Sequence, residues 1–134
     1  MNNIRPILLA EDDHVDVMTV RRAFKQLNVL NELIVAKNGE EVIGYLDDPK
    51  KPLPCLIILD INMPKMNGLE CLKILKQQSV YKNIPVFILS SSREQQDVDS
   101  SFARGISGYI LKPIEFDEFL RSIKVLNSHW TVDS

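Results

Sequence analysis

The chain has 134 residues, a formal net charge of −2, and 45% hydrophobic and 25% charged residues. That length builds one sizeable core and leaves little room for a second domain. Its lysines and arginines are scattered instead of forming a stripe, which argues against nucleic acid as a partner, and no apolar stretch approaches the roughly 20 residues of a membrane span. The start, Met1-Asn2-Asn3-Ile4-Arg5-Pro6, lacks an apolar signal segment, and Cys55 and Cys71 have no metal-ligand spacing. The expectation is a cytoplasmic, water-soluble protein with reduced thiols.

In chain order, Ile7 to Ala10 is a short apolar run followed at once by Glu11 and Asp12. Runs of this length without polar alternation suit strands covered on both faces, the usual state of a parallel sheet. Val17, Val20, Phe24 and Leu27 then recur at helical spacing. Leu33 to Ala36 reads as a second strand, and Asn38 to Leu46 as a helix introduced by Asn38-Gly39. After Pro49-Lys50-Lys51-Pro52, Cys55 to Leu59 forms a third apolar run that ends on Asp60. Asn67 to Lys76 is the next helix, with Asn67-Gly68 read as turn chemistry that shapes the loop carrying Asp60.

Val86 to Leu89 is the fourth strand and leads into Ser90. The helix from Arg93 to Arg104 has Val98 and Phe102 as its strong apolar anchors, so it should be weakly held, and Gly105 marks its end. Tyr109 to Leu111 is the fifth strand, with Lys112 directly after it. Phe116, Phe119, Leu120 and Ile123 give the last helix a clear buried face. Alternation of strand and helix predicts five βα units in a doubly wound α/β domain with a parallel sheet.

In such a sheet Glu11, Asp12, Asp60, Ser90 and Lys112 all meet at the carboxyl edge, where open α/β sheets bind ligands. Three crowded carboxylates repel one another and call for a cation. Mg²⁺ is the natural occupant, since it takes oxygen ligands and works with phosphate oxygens. Asp12 and Asp60 are assigned as direct ligands, Glu11 as the holder of a metal-bound water, and the backbone carbonyl of Asn62 as a further ligand. The Asp60 carboxylate can then attack phosphorus and become an acyl phosphate. Lys112 would pair with the transferred group, and Ser90 would donate its hydroxyl to another phosphoryl oxygen, drawing its loop inward.

Each assignment has a plainer rival. Asp60, or Glu11 and Asp12, can merely cap helices, Lys112 can be solvated, and Ser90 has neighbours Ser91 and Ser92 that a one-residue error would put in its place. Asp13 reads better as a capping acid, and His14 as a poor ligand for a metal that prefers oxygen. Tyr109 is as readily simple packing on an edge strand as a moving group.

These residues resemble the receiver domain of two-component response regulators from about Arg5 to Asn127. The acidic pair after strand one, Asp60 followed by Met63-Pro64 and Gly68, Ser90 after strand four, and Lys112-Pro113 after strand five all fit that pattern. The resemblance implies a flavodoxin-like sheet of order 2-1-3-4-5. It implies phosphorylation of Asp60 by a sensor histidine kinase, joint movement of Ser90 and Tyr109, and output through helix four, strand five and helix five. It also implies a cis Lys112-Pro113 bond. Residues 1–134 are expected to be a single receiver, with a core of about 5–127, a tail of 128–134 and no effector domain. Output would pass to a downstream protein target or, by onward phosphotransfer, to a phosphotransfer protein.

Glu11-Asp12-Asp13, Asn31-Glu32-Leu33, Asn38-Gly39-Glu40-Glu41, Ser90-Ser91-Ser92 and His129-Trp130 further resemble single-domain regulators that partner phytochrome-type kinases, which implies a homodimer through the output face. Such a domain catalyses only its own phosphorylation and dephosphorylation and is not counted as an enzyme. The main alternative is a receiver-like scaffold acting without phosphorylation. An aspartate-nucleophile phosphohydrolase would want an acid where Asn62 stands, and a flavin carrier would not place Glu11-Asp12-Asp13 against a phosphate.

Overall fold

The computed structural model describes residues 4–92, 94–112 and 115–124. Arg93, Pro113 and Trp130 lie outside the described residues, as do the tail and the expected cis bond at Lys112-Pro113. Five strands alternate with five helices: β1 Ile7–Ala10, α1 His14–Gln26, β2 Leu33–Ala36, α2 Gly39–Asp47, β3 Leu56–Asp60, α3 Gly68–Gln77, β4 Val86–Ser90, α4 Gln95–Ala103, β5 Gly108–Leu111 and α5 Phe116–Lys124. The sheet is parallel throughout with order β2-β1-β3-β4-β5, the flavodoxin-like arrangement that the family resemblance implied.

The three central strands, β1, β3 and β4, are buried along their whole length, which is why they read as unbroken apolar runs. Alternate residues divide between two cores. Ile7, Leu9, Leu56, Ile58, Phe87 and Leu89 face α1 and α5, where Phe24 and Phe119 stack with ring centroids 6.4 Å apart. Leu8, Ile57, Leu59, Val86 and Ile88 face the other way, toward α2 and α3. Arg22 of α1 lies over the Phe116 ring at 3.9 Å and closes the edge of the α1–α5 layer.

The starts of α1, α2 and α3 are chemically specified. Asp13 caps α1 by accepting from the backbone N–H groups of Val15 and Asp16, the capping role expected of it. Asn38 caps α2 through the N–H of Glu41. Asn67 does more than shape a turn: with Glu70 it forms a reciprocal capping box at the start of α3. Gly105 takes φ +93° just past the end of α4, as a helix-terminating glycine should.

One expected anchor is not where hydropathy put it. Phe102 is 47% exposed, Val98 is half-buried, and the buried residue of α4 is Ser101. With so few apolar positions, α4 is oriented by the β4–α4 connection and the sheet edge instead of by its own periodicity.

Candidate phosphoryl and metal site

The five residues expected at the carboxyl edge converge there, and three of them are buried. Asp60 and Ser90 are the last residues of β3 and β4, one position inside the strands instead of just after them, and are 3% and 1% exposed. Glu11, directly after β1, is 1% exposed, while Asp12 points to solvent. Carboxylate oxygens of Glu11, Asp12 and Asp60 all lie within 4.8 Å of one another. Such crowding is unfavourable without a counter-charge.

Lys112 supplies one. Its ammonium lies 2.7 Å from Glu11 Oε1, 2.9 Å from Asp16 Oδ2 and 3.1 Å from Asp60 Oδ2. Asp16 is a member of the site that sequence reasoning missed. It stands in the first turn of α1, four residues after Asp12, and helical Cβ atoms tilt toward the N-terminus, which turns that position back to the sheet edge. An acid at this spacing behind an acidic pair was the available signal.

Burial is the main cause that pushes the Glu11 carboxyl up to about 7, against the lowering pull of Lys112 and the Asp13 amide. Burial also works against the Lys112 ammonium, yet hydrogen bonds to Glu11 and Asp16 and the charges of Glu11 and Asp60 outweigh it and hold its pKa above the usual lysine range. Glu11 Oε1, buried with the rest of its side chain, faces that ammonium in a charge-assisted contact. The opposite oxygen of Glu11 accepts the N–H of Asp13 at 3.0 Å.

The donor set fits a hard divalent cation: three carboxylates, with no nitrogen or sulfur among them. His14 is the exposed first residue of α1 and is not part of this cluster. Asn62 sits in the turn after β3, its N–H donating to Asp60 Oδ1 at 3.1 Å. That turn is fixed from below by Gly68, where an added Cβ would fall 2.3 Å from the backbone oxygen of Asp60. Lys65 in the same loop adopts the left-handed region with φ +64°, uncommon for a side chain other than Gly or Asn.

Across the site, Ser90 Oγ accepts the N–H of Ser92 at 3.0 Å, which leaves its own proton free to point elsewhere. Tyr109 is half-buried on β5, and its hydroxyl donates to the carbonyl of Ser92 at 3.1 Å. No helix among the described residues is long and apolar enough to cross a membrane.

Known proteins resemble this chain in sequence and fold. The chain is 31% identical over 133 residues to the response regulator Rcp1 of Synechocystis sp., covering 96% of this chain and 90% of that protein. The crystal structure of the Mn²⁺-bound form of Rcp1 superposes with a TM-score of 0.81 and covers 94% of each chain. The bacteriophytochrome response regulator AtBRR is 35% identical, with a TM-score of 0.80 and 98% coverage of both chains. The phosphorylated cyanobacterial phytochrome response regulator RcpA is 28% identical, with a TM-score of 0.80, over 98% of this chain and 96% of that one. Residues 7–124 match the model of the response regulator receiver domain, and the chain therefore belongs to that family.

Proposed function

We propose that this receiver accepts a phosphoryl group on Asp60 from a sensor histidine kinase and passes the change on through protein contacts or onward phosphotransfer. The observation that carries this reading is the buried Asp60 carboxylate held between an acidic, cation-seeking cluster and the Lys112 ammonium at 3.1 Å. Asp12 and Asp60 would hold Mg²⁺ directly, Glu11 through a water, with the Asn62 carbonyl as a further ligand. The bound ion would offset negative charge on the phosphoryl oxygens.

An Asp60 oxygen attacks phosphorus in line, the bond from phosphorus to the kinase imidazole nitrogen breaks, and that nitrogen leaves with the bond's electron pair. Lys112 then exchanges a carboxylate neighbour for a phosphoryl oxygen, a charge-assisted contact that it can make while Glu11 and Asp16 still orient it. Ser90 turns its free proton to another phosphoryl oxygen, and its loop and Tyr109 follow. Two of the relatives are phytochrome response regulators, which supports a phytochrome-type kinase as the donor; the assembled form would be a homodimer through α4, β5 and α5.

The test is the intact mass after incubation with Mg²⁺ and acetyl phosphate. One labile phosphoryl adduct, absent from Asp60→Ala and from chelator-treated protein, is the expected result. A folded, Mg²⁺-binding protein that takes no phosphoryl group from acetyl phosphate or from purified histidine kinases would instead favour a scaffold that works unphosphorylated.

A further inference from the structure

The connection between β4 and α4 holds a polar network centred on Ser92. Its N–H donates to Ser90 Oγ at 3.0 Å, its carbonyl accepts from the Tyr109 hydroxyl at 3.1 Å, and its hydroxyl donates to Asp97 Oδ2 at 2.5 Å. The same hydroxyl accepts the N–H of Glu94 at 3.3 Å. One half-buried loop residue thereby joins the Ser90 hydroxyl, strand β5 and the first turn of α4.

That first turn has little else to hold it. Glu94, at the N-cap of α4, makes no side-chain capping bond, and Ser101 is the helix's buried residue. Ser101 Oγ donates to the carbonyl of Asp97 at 2.9 Å. Asp97 is thus tied to the loop by its carboxylate and to the body of the helix by its carbonyl. A cavity of about 160 Å³ opens alongside, between Ile61 and Asn62 of the Asp60 turn, Ser90, and Asp97, and gives the loop room to move inward.

We infer that Ser92 is a positioning residue that fastens the start of α4 to the Ser90 hydroxyl through Asp97, so that movement of Ser90 is transmitted to α4. The trigger rests on the phosphoryl reading above; the fastening itself does not. If the Ser90 loop is drawn inward, Ser92 travels with it because its N–H is bonded to Ser90 Oγ. A hydrogen bond does not survive stretching by an ångström, so the first turn of α4 either moves with Ser92 or comes free.

The experiment is hydrogen exchange of the α4 amides in the full chain, for wild type, Ser92→Ala, Asp97→Ala, the double variant and Ser92→Thr. In unmodified protein each single alanine should raise α4 exchange about fivefold, the scale of one hydrogen bond lost. The double variant should exceed neither single, and Ser92→Thr should restore the wild-type rate. Effects that multiply in the double variant would overturn the inference.

Acetyl phosphate with Mg²⁺ should then change α4 exchange in wild type and in Ser92→Thr. In Ser92→Ala the adduct should still form by mass while α4 exchange stays at its unmodified value. A wild-type-sized response in Ser92→Ala overturns the transmission role. Failure of wild type itself to form the adduct, with acetyl phosphate and with purified histidine kinases alike, overturns the phosphoryl reading and the trigger with it, while the double-variant comparison still decides the fastening.

Discussion

Helices α3 and α4 each follow a site residue on a central strand, yet they are held in opposite ways. α3 begins with a reciprocal capping box, packs Gly68 against the backbone of Asp60, and buries Cys71, Leu72 and Leu75. α4 begins without a side-chain cap and buries Ser101 alone. The difference assigns the two ends of the site different mechanical duties. Under the proposed function, the Asp60 side would keep a reacting carboxylate in one place and the Ser90 side would yield when the phosphoryl group arrives, and elements that move come from the weakly held end.

Side-chain truncation should break this contrast most visibly. Leu72→Ala in α3 should cost about 4 kcal/mol of unfolding free energy in urea, as buried leucines do, whereas Phe102→Ala in α4 should stay within about 0.5 kcal/mol. Equal costs would mean that α4 is packed as firmly as α3. Gly68→Ala comes next, at about 3 kcal/mol, because its Cβ would meet backbone oxygen that cannot step aside. It should also lower phosphoryl incorporation, since relief of the clash displaces Asp60.

The caps give a smaller and cleaner comparison. Asn67→Ala should lose about 1 kcal/mol, and Glu94→Ala less than about 0.5 kcal/mol, because only the first removes a capping bond. Urea titrations of both variants read this directly; a matching loss in Glu94→Ala would contradict the uncapped start of α4. The gentlest probe is a thiol reagent. Burial pushes the Cys71 thiol up to about 12, so iodoacetamide should modify half-buried Cys55 well before Cys71 in native protein. Early labelling of Cys71, detected by peptide mass, would show that α3 opens as readily as its counterpart.

The three central strands were legible in the sequence because burial on both faces leaves a run that is apolar up to the residue at the sheet edge. Their ends were less so. Asp60 pairs with Leu89, and Ser90 with Leu111, as strand residues, a matter of neighbouring strands that no local pattern encodes. Asp60, the acidic pair, Ser90 and Lys112 could be placed together because parallel topology alone brings strand ends to one edge. Asp16 could not, since its role depends on the angle at which α1 leaves that edge. Phe102 misled for a related reason: an isolated aromatic residue marks a buried face only when its neighbours share it, and in α4 they do not.

The stacking of Phe24 on Phe119 has a consequence for the birth of the molecule. The layer that covers Ile7, Leu9, Leu56 and Ile58 is made of α1 and α5, the first and last helices among the described residues, so its two halves are separated by most of the chain. On the ribosome, the apolar side of β1 and β3 beneath α5 must wait uncovered until residues 116–124 have left the exit tunnel. A nascent chain stalled before Phe116 should therefore remain a substrate for chaperones that bind exposed apolar strands. Release past Lys124 should end that dependence in a single late step instead of through gradual compaction.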